Sequence, residues 1–336
     1  MKRAIAKLSF ATVILAGSFL MPAPSRAEIY SRAAVVMEAE TGKVLFAKNP
    51  DLRLPPASTT KLMTAMVALD RKNLNDAVVV SRRAANVSPT KANLLAGETV
   101  SVGTLLYAAL IMSANDAAIA LAESAAGGSE AEFVKLMNRK AALMGLKNTK
   151  FINPNGLPGK GQYTTASDLA EIMRRALQYP EIREIIGTKE VEVSTGTGRT
   201  ILLENTNKLL WSDGELIGGK TGYTRRARHC FVCAGQRDES TIIAALLGTP
   251  SRGLLWKETE ELMERGFKTL AGAAEPVVYV TRAAQDAPVK KVSYKKRPKL
   301  HISKNGKSAK TGKAAKKSKV TRVKTHKKTS PKRHRT

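Results

Sequence analysis

The sequence predicts a mixed α/β (α+β) domain, with one sheet assembled from both ends of the chain and a mainly helical insert beside it. A hairpin-like pair of apolar runs opens the domain and strand-like segments return after Glu190, where the period changes to two, whereas between these stretches apolar residues recur at helical spacing. No internal repeat breaks this order.

Ala33 to Met37 and Lys43 to Ala47 flank Glu40-Thr41-Gly42 and read as a β-hairpin. Pro55-Pro56 cannot sit inside a helix but can lead into one. After them Leu62, Ala65, Met66 and Leu69 stand at i, i+3, i+4 and i+7, the stripe of a helix packed on a core. Asp76 to Ser81 reads as a short strand, and Ala84 to Gly97 as irregular chain. Val100 to Ser113 and Asp116 to Ala126 are two alanine- and leucine-rich helical stretches closed by Gly127-Gly128, and Glu130 to Met144 is a further helix. Asn153-Pro154-Asn155-Gly156 is a turn. Thr165-Ala166-Ser167-Asp168 fits a helix N-terminus leading into Leu169 to Tyr179. Glu190 to Ser194 and Thr200 to Glu204 flank a glycine-rich turn. Leu216 to Thr224, Arg228 to Ala234 and Thr241 to Leu247 follow as three strands, and Leu254 to Leu270 as a closing helix.

Charge divides the chain into three parts. Residues 1–27 read as a secretory signal: Lys2, Arg3 and Lys7, an apolar run from Leu8 to Met21, then Ser25-Arg26-Ala27 as a small-residue cleavage site. That run is too short to span a bilayer, so no transmembrane anchor is expected once the signal is removed. Residues 28–272 have mixed composition and suffice for one large domain. Residues 273–336 are a basic tail: positions 290–336 hold twenty Lys or Arg and no Asp or Glu, most of the net charge of +28. With almost no large apolar residue, that stretch cannot bury a core and is expected to be disordered. An exported chain seldom meets nucleic acid, and Tyr294 is the only aromatic there for stacking. The expected partners of the tail are anionic cell-envelope polymers, and the expected location is the periplasm or the cell wall.

Cys230 and Cys233 are the only cysteines, spaced C-x-x-C after His229. They fall in a strand-like run where a spacing of three points side chains to opposite faces, which works against a disulfide. A zinc site needs more ligands than His229 and this pair, so neither metal nor cofactor is expected.

Three short motifs carry chemistry. Ser58-x-x-Lys61 sets a hydroxyl and an ammonium one helical turn apart on one face, so a lysine with a lowered pKa can take the serine proton. Ser113-Ala114-Asn115 lies between two helices, and Lys220-Thr221-Gly222 lies in a strand. Each alone also fits an ordinary cap, turn or strand. Together they stand in the order and approximate spacing of the three motifs of penicillin-binding proteins and class A β-lactamases.

The chain most resembles the D-alanyl-D-alanine carboxypeptidases of the low-molecular-weight penicillin-binding proteins, peptidase family S11. PASTTKLMTA around Ser58, SANDAA from Ser113, NPNGL from Asn153, YTTASDLA from Tyr163, NTNKLL from Asn205 and GGKTGYT from Gly218 carry the resemblance over residues of about 30 to 270. It implies the penicillin-binding/β-lactamase-like transpeptidase fold, an antiparallel sheet flanked by helices plus a mainly helical subdomain. It also implies a serine D-Ala-D-Ala carboxypeptidase acting on peptidoglycan stem peptides through an acyl-enzyme on Ser58. Lys61 would be the base, a role that a second cation at Lys220 favours by disfavouring the Lys61 ammonium. Ser113 would relay a proton to the leaving amine and Asn115 would hold the substrate amide and the Lys61 head. Lys220 and Thr221 of Lys220-Thr221-Gly222 would bind the terminal carboxylate with help from Arg252, and the N–H groups of Ser58 and Tyr223 would form the oxyanion hole. β-Lactam antibiotics are the covalent inhibitors this implies.

Rival chemistries lack residues. A Ser-His-Asp hydrolase would have only His229 as base within the body of the chain and has no G-x-S-x-G elbow. A metallopeptidase lacks ligands. A β-lactamase would need a Glu-x-x-Leu-Asn glutamate between the second and third motifs, which is absent from Asp116 to Gly219. A non-catalytic basic cell-wall-binding protein would not need Ser58, Lys61, Ser113 and Lys220 intact. A DD-endopeptidase cutting peptidoglycan cross-links stays open, since the short gap between the first two motifs and the lack of a β-rich domain after Leu270 also resemble those members.

Overall fold

The computed structural model describes residues 28–281; the expected signal and the twenty cationic residues of 290–336 lie outside the described residues. In chain order, β1 (Ala33–Glu38) and β2 (Val44–Lys48) form the expected hairpin. A 3-10 turn at Ala57–Thr60 runs into α1 (Lys61–Leu69), and β3 (Ala77–Val79), α2 (Arg82–Ala85) and β4 (Thr99–Ser101) follow. Then come α3 (Val102–Leu110), α4 (Asn115–Ala125), α5 (Glu130–Leu143), α6 (Ala166–Ala176) and α7 (Pro180–Gly187). A small hairpin of β5 (Glu190–Ser194) and β6 (Thr200–Glu204) precedes β7 (Leu216–Thr224), β8 (Arg228–Arg237) and β9 (Ser240–Thr249). The chain then forms α8 (Arg252–Leu270) and β10 (Val277–Tyr279).

The six-stranded sheet has the order β10-β2-β1-β9-β8-β7, antiparallel except for the β10–β2 pair. The two ends of the chain therefore meet where β1 pairs β9, Ala33 opposite Leu247 and Glu38 opposite Ile242. The middles of these two strands, Ala33 to Met37 and Ile242 to Leu247, are apolar throughout because both faces are covered. Val35, Val232, Ala245 and Leu247 point into a large core shared with α1, α3, α4 and α6, whereas Val36, Phe231, Ala244 and Leu246 point into a second core under Leu255, Leu262 and Phe267 of α8.

Four differences from the sequence reading have physical causes. Burial runs from Lys61 to Ala68 around the whole of α1, not along one stripe, so it is a central core helix. The strand β4 takes the residues expected to open α3, and Ser101 instead caps that helix by accepting from Thr104 N–H. Helix α7 was not expected, although Pro180 at its first turn and buried Ile182, Ile185 and Ile186 carry its signal. The strand β10 lies beyond the expected boundary at residue 272, because Val277-Val278-Tyr279 is too short a run to stand out as a strand in the sequence. Asn49 fixes its end, donating to Arg32 O at 2.7 Å and accepting from Thr281 N–H at 2.7 Å.

Candidate active site

The site grows from the 3-10 turn ahead of α1. Ala57 in that turn has φ +50°, a conformation that side chains disfavour. Two glycines let neighbouring backbone close on it. A Cβ at Gly156 (φ +82°) would fall 1.8 Å from Ala57 O, and one at Gly222 of β7 would fall 2.9 Å from Ser58 N. The strand carrying Lys220-Thr221-Gly222 thus lies directly against the turn carrying Ser58.

Lys61 is fully buried, and its Nζ has three oxygen neighbours: Ser58 Oγ at 2.9 Å, Asn115 Oδ1 at 2.7 Å and the Asn155 carbonyl at 2.8 Å. Asn115 is oriented from behind, where its Nδ2 donates to the Pro89 carbonyl, a group that can only accept. Its backbone N–H donates to Thr90 O at 2.9 Å. The Asn155 carbonyl is fixed by its own turn, in which Gly156 N–H donates to Asn153 Oδ1 at 2.8 Å and Leu157 N–H to Asn155 Oδ1 at 3.0 Å. Ser113, at φ +67°, turns the chain between α3 and α4.

Burial holds the Lys61 amine well below its ordinary value of 10.5, the charge of Lys220 adds to this, and the Asp116 carboxylate acts against it. Lys220 is also fully buried, and desolvation brings it down to about 7. Its Nζ donates to Thr221 O at 3.1 Å. Asp116 lies at the first turn of α4, where its carboxylate accepts from the N–H groups of Ala92 (3.0 Å), Leu94 (3.1 Å) and Ala117 (2.9 Å). That ties the irregular segment carrying Pro89 and Thr90 to the helix.

In front of these groups lies a cleft of about 270 Å³, lined by Ser58, Ser113, Thr221, Gly222, Tyr223 and Arg252 among others. The structure therefore brings all nine sequence-selected residues to one place: six line the cleft, and Lys61, Asn115 and Lys220 lie buried beside it. Cys230 and Cys233 are free and buried on opposite faces of β8, one in each core, and burial pushes the Cys230 thiol up to about 12 and Cys233 further.

The chain has relatives among known proteins. The sequence profile of the family described as D-alanyl-D-alanine carboxypeptidase, Peptidase_S11, matches residues 21–251. The chain belongs to this family. It is similar to the D-alanyl-D-alanine carboxypeptidase DacF of Bacillus subtilis (strain 168), 40% identical over 223 residues that are 65% of this chain but 57% of the relative. It thus spans less than two thirds of that relative's length. A D-alanyl-D-alanine endopeptidase of Pseudomonas aeruginosa is 38% identical over 213 residues, 62% of this chain and 68% of that one. Among solved structures, the DD-transpeptidase of Streptomyces K15 superposes with a TM-score of 0.69 at 32% identity, covering 72% of this chain and 99% of its own.

Several cleft residues were given no role by the sequence reading. Thr206 shares a hydrogen bond with Thr221, Oγ1 to Oγ1 at 2.6 Å, and Thr90, Met112, His229 and Trp256 also line the cleft. The ring of His229 lies 4.5 Å from that of Tyr223, its cross-strand partner. Hairpin register alone would have placed His229 there. No helix among the described residues is long and apolar enough to cross a membrane.

Proposed function

We propose that the chain is an exported serine D-Ala-D-Ala carboxypeptidase that trims peptidoglycan stem peptides through an acyl-enzyme on Ser58. The observation that carries this reading is the set of three neighbours around the buried Lys61 Nζ. Two of them, Asn115 Oδ1 and Asn155 O, are carbonyl oxygens and can only accept. A neutral amine has two N–H groups and one lone pair. Both N–H groups therefore go to the carbonyls, and the lone pair is left facing Ser58 Oγ at 2.9 Å. This arrangement supports Lys61 as the base that takes the serine proton.

Ser58 then attacks the carbonyl carbon between the two D-alanines while its proton passes to Lys61. The N–H groups of Ser58 and Tyr223 receive the oxyanion. Collapse breaks the peptide bond, with the proton moving from Lys61 through the Ser113 hydroxyl to the leaving amine, and water later hydrolyses the ester. Asn115 holds the substrate amide, and Lys220, Thr221 and Arg252 hold the terminal carboxylate. Penicillin, an acylating analogue of this substrate in the family, should label Ser58. Peptide mapping of labelled enzyme tests this; label on another serine, or unchanged labelling of Ser58→Ala, would overturn it.

The same steps cleave a cross-link when the leaving amine belongs to a second stem, the reading that the Pseudomonas relative's name favours. Digestion of monomeric pentapeptide and cross-linked dimer side by side distinguishes the two. The basic tail, with twenty cations and no acid, supplies electrostatic attachment to anionic envelope polymers. A chain ending at Pro288 should pellet less with isolated cell walls at low salt yet hydrolyse a small soluble peptide normally; equal pelleting would remove that role.

A further inference from the structure

We propose that the tip of the β7–β8 hairpin is an accessory anion-binding rim that selects leaving groups bearing a second carboxylate. This rests on the peptidase reading above and narrows its substrate. The tip reads Tyr223-Thr224-Arg225-Arg226-Ala227-Arg228-His229, with Tyr223 paired to His229 and Thr224 to Arg228. It is a built turn: Ala227 N–H donates to Thr224 Oγ1 at 3.0 Å, Ala227 is buried, and Arg228 takes φ +64°. Arg225, Arg226 and Arg228 are exposed, as is Arg252, and among the described residues none of the four has an ion-pair partner.

The cationic surface is continuous with the cleft. Tyr223, His229 and Arg252 all line it, and at His229 burial disfavours the imidazolium, with the charges of Arg252 and Arg228 adding to this. Positive charge thus begins at the subsite assigned to the terminal carboxylate and continues outward onto the tip. A leaving D-alanine has one carboxylate and a methyl group, and that carboxylate is taken by the terminal subsite. A leaving residue with a second carboxylate, or one that continues into an acidic peptide, extends toward three guanidiniums that have no ion-pair partner among the described residues. Because these are exposed charges, their effect is a modest, salt-sensitive preference.

The test uses the full chain and peptides sharing one acyl half, with D-Ala, D-Gln or D-Glu as the leaving residue. D-Glu and D-Gln match in shape and differ in the second carboxylate. Wild type is expected to show a kcat/KM for the D-Glu peptide roughly fivefold above that for D-Gln at low salt, falling toward equality at about 0.5 M salt. In the triple variant Arg225→Gln, Arg226→Gln, Arg228→Gln the ratio should fall to about one, and the corresponding triple lysine variant should keep it. Equal wild-type rates on D-Glu and D-Gln, or a preference that survives the glutamine variant, would overturn the rim while leaving the peptidase reading intact. No turnover of the D-Ala peptide by wild type would overturn both.

Discussion

Two regions of this molecule bury charge in opposite ways. Beside the cleft, Lys61 and Lys220 are fully buried and no carboxylate among the described residues bonds either one, so desolvation drives both amines toward the neutral form. At the two sides of the segment that walls the cleft, Glu98 and Asp116 are also buried but met by donors: Arg199 and Leu95 N–H for the first, three backbone N–H groups for the second. An unmatched buried charge becomes a reagent, because its cost is relieved by giving up the proton. A matched one becomes a fastener.

The sharpest way to break that contrast is to make the reagent unable to react. Lys61→Arg keeps the cation, but a guanidinium does not give up its proton near neutral pH. Acylation by labelled penicillin should fall by about 10²–10⁴-fold, the span that general-base catalysis supplies. Near-normal acylation would mean that Lys61 only positions Ser58. In wild type, acylation should rise with pH as it passes the depressed pKa of Lys61.

Next in size is the scaffold that holds the reagent. Gly156→Ala places a methyl group 1.8 Å from Ala57 O at a position with φ +82°. Strain and overpacking together should cost about 3 kcal/mol of stability. Because the same turn aims the Asn155 carbonyl at Lys61, acylation should fall as well. Denaturant unfolding alongside labelling checks both, and an unchanged midpoint would show that the turn gives way freely.

Much of this arrangement was legible in the chain, and the parts that were not share a cause. Ser58, Lys61, Ser113, Asn115 and Lys220 stand in short motifs whose residue types state their chemistry. Strand β1 was legible from the turn at Glu40-Thr41-Gly42 beside it, and β8 and β9 from the change of period after Glu190. The burial of Lys220 was not readable, since a lysine in a strand is ordinarily solvated and only the packing of both cores around β7 removes the water. The Asn155 carbonyl was equally hidden: backbone groups carry no residue signature, and its contact with Lys61 spans 94 residues. Asp116 was read as part of a helix and not as a clasp, because its partners are backbone N–H groups more than twenty residues earlier.

Asp116 joins the two regions, being a satisfied anion whose field opposes the lowering of Lys61. Asp116→Asn removes that opposition. The Lys61 amine should then be neutral at lower pH than in wild type, so the acid limb of the acylation profile should move to lower pH. The amide keeps an acceptor at Oδ1 but sets its NH₂ against the Leu94 N–H, a mismatch worth about 1–3 kcal/mol. A loss of stability with an unmoved acid limb would reduce Asp116 to a fastener alone.

The smallest effect is expected at Glu98, which has a purely fastening role. Arg199 donates to both carboxylate oxygens, with Nη2 at 2.7 Å from Oε2, and this holds Glu98 down to about 2 from an ordinary 4.5. For an acid lowered on folding, the contribution is fully present above the unfolded value and is lost as pH falls through the folded one. Glu98→Gln should therefore destabilise at pH 7, and the gap to wild type should close between about pH 4.5 and about 2. Arg199 is one-third exposed, so water screens the pair, and about 1–2 kcal/mol is expected at pH 7, a fall in Tm of roughly 2–6 °C. Acylation at 25 °C should change little, because neither residue touches Ser58 or Lys61. Thermal unfolding at pH 7 and pH 3, beside penicillin labelling, separates the outcomes. A large drop in labelling with an unchanged Tm would mean that Glu98 sets the cleft itself, and the division between reagent and fastener would then fail where it is drawn most cleanly.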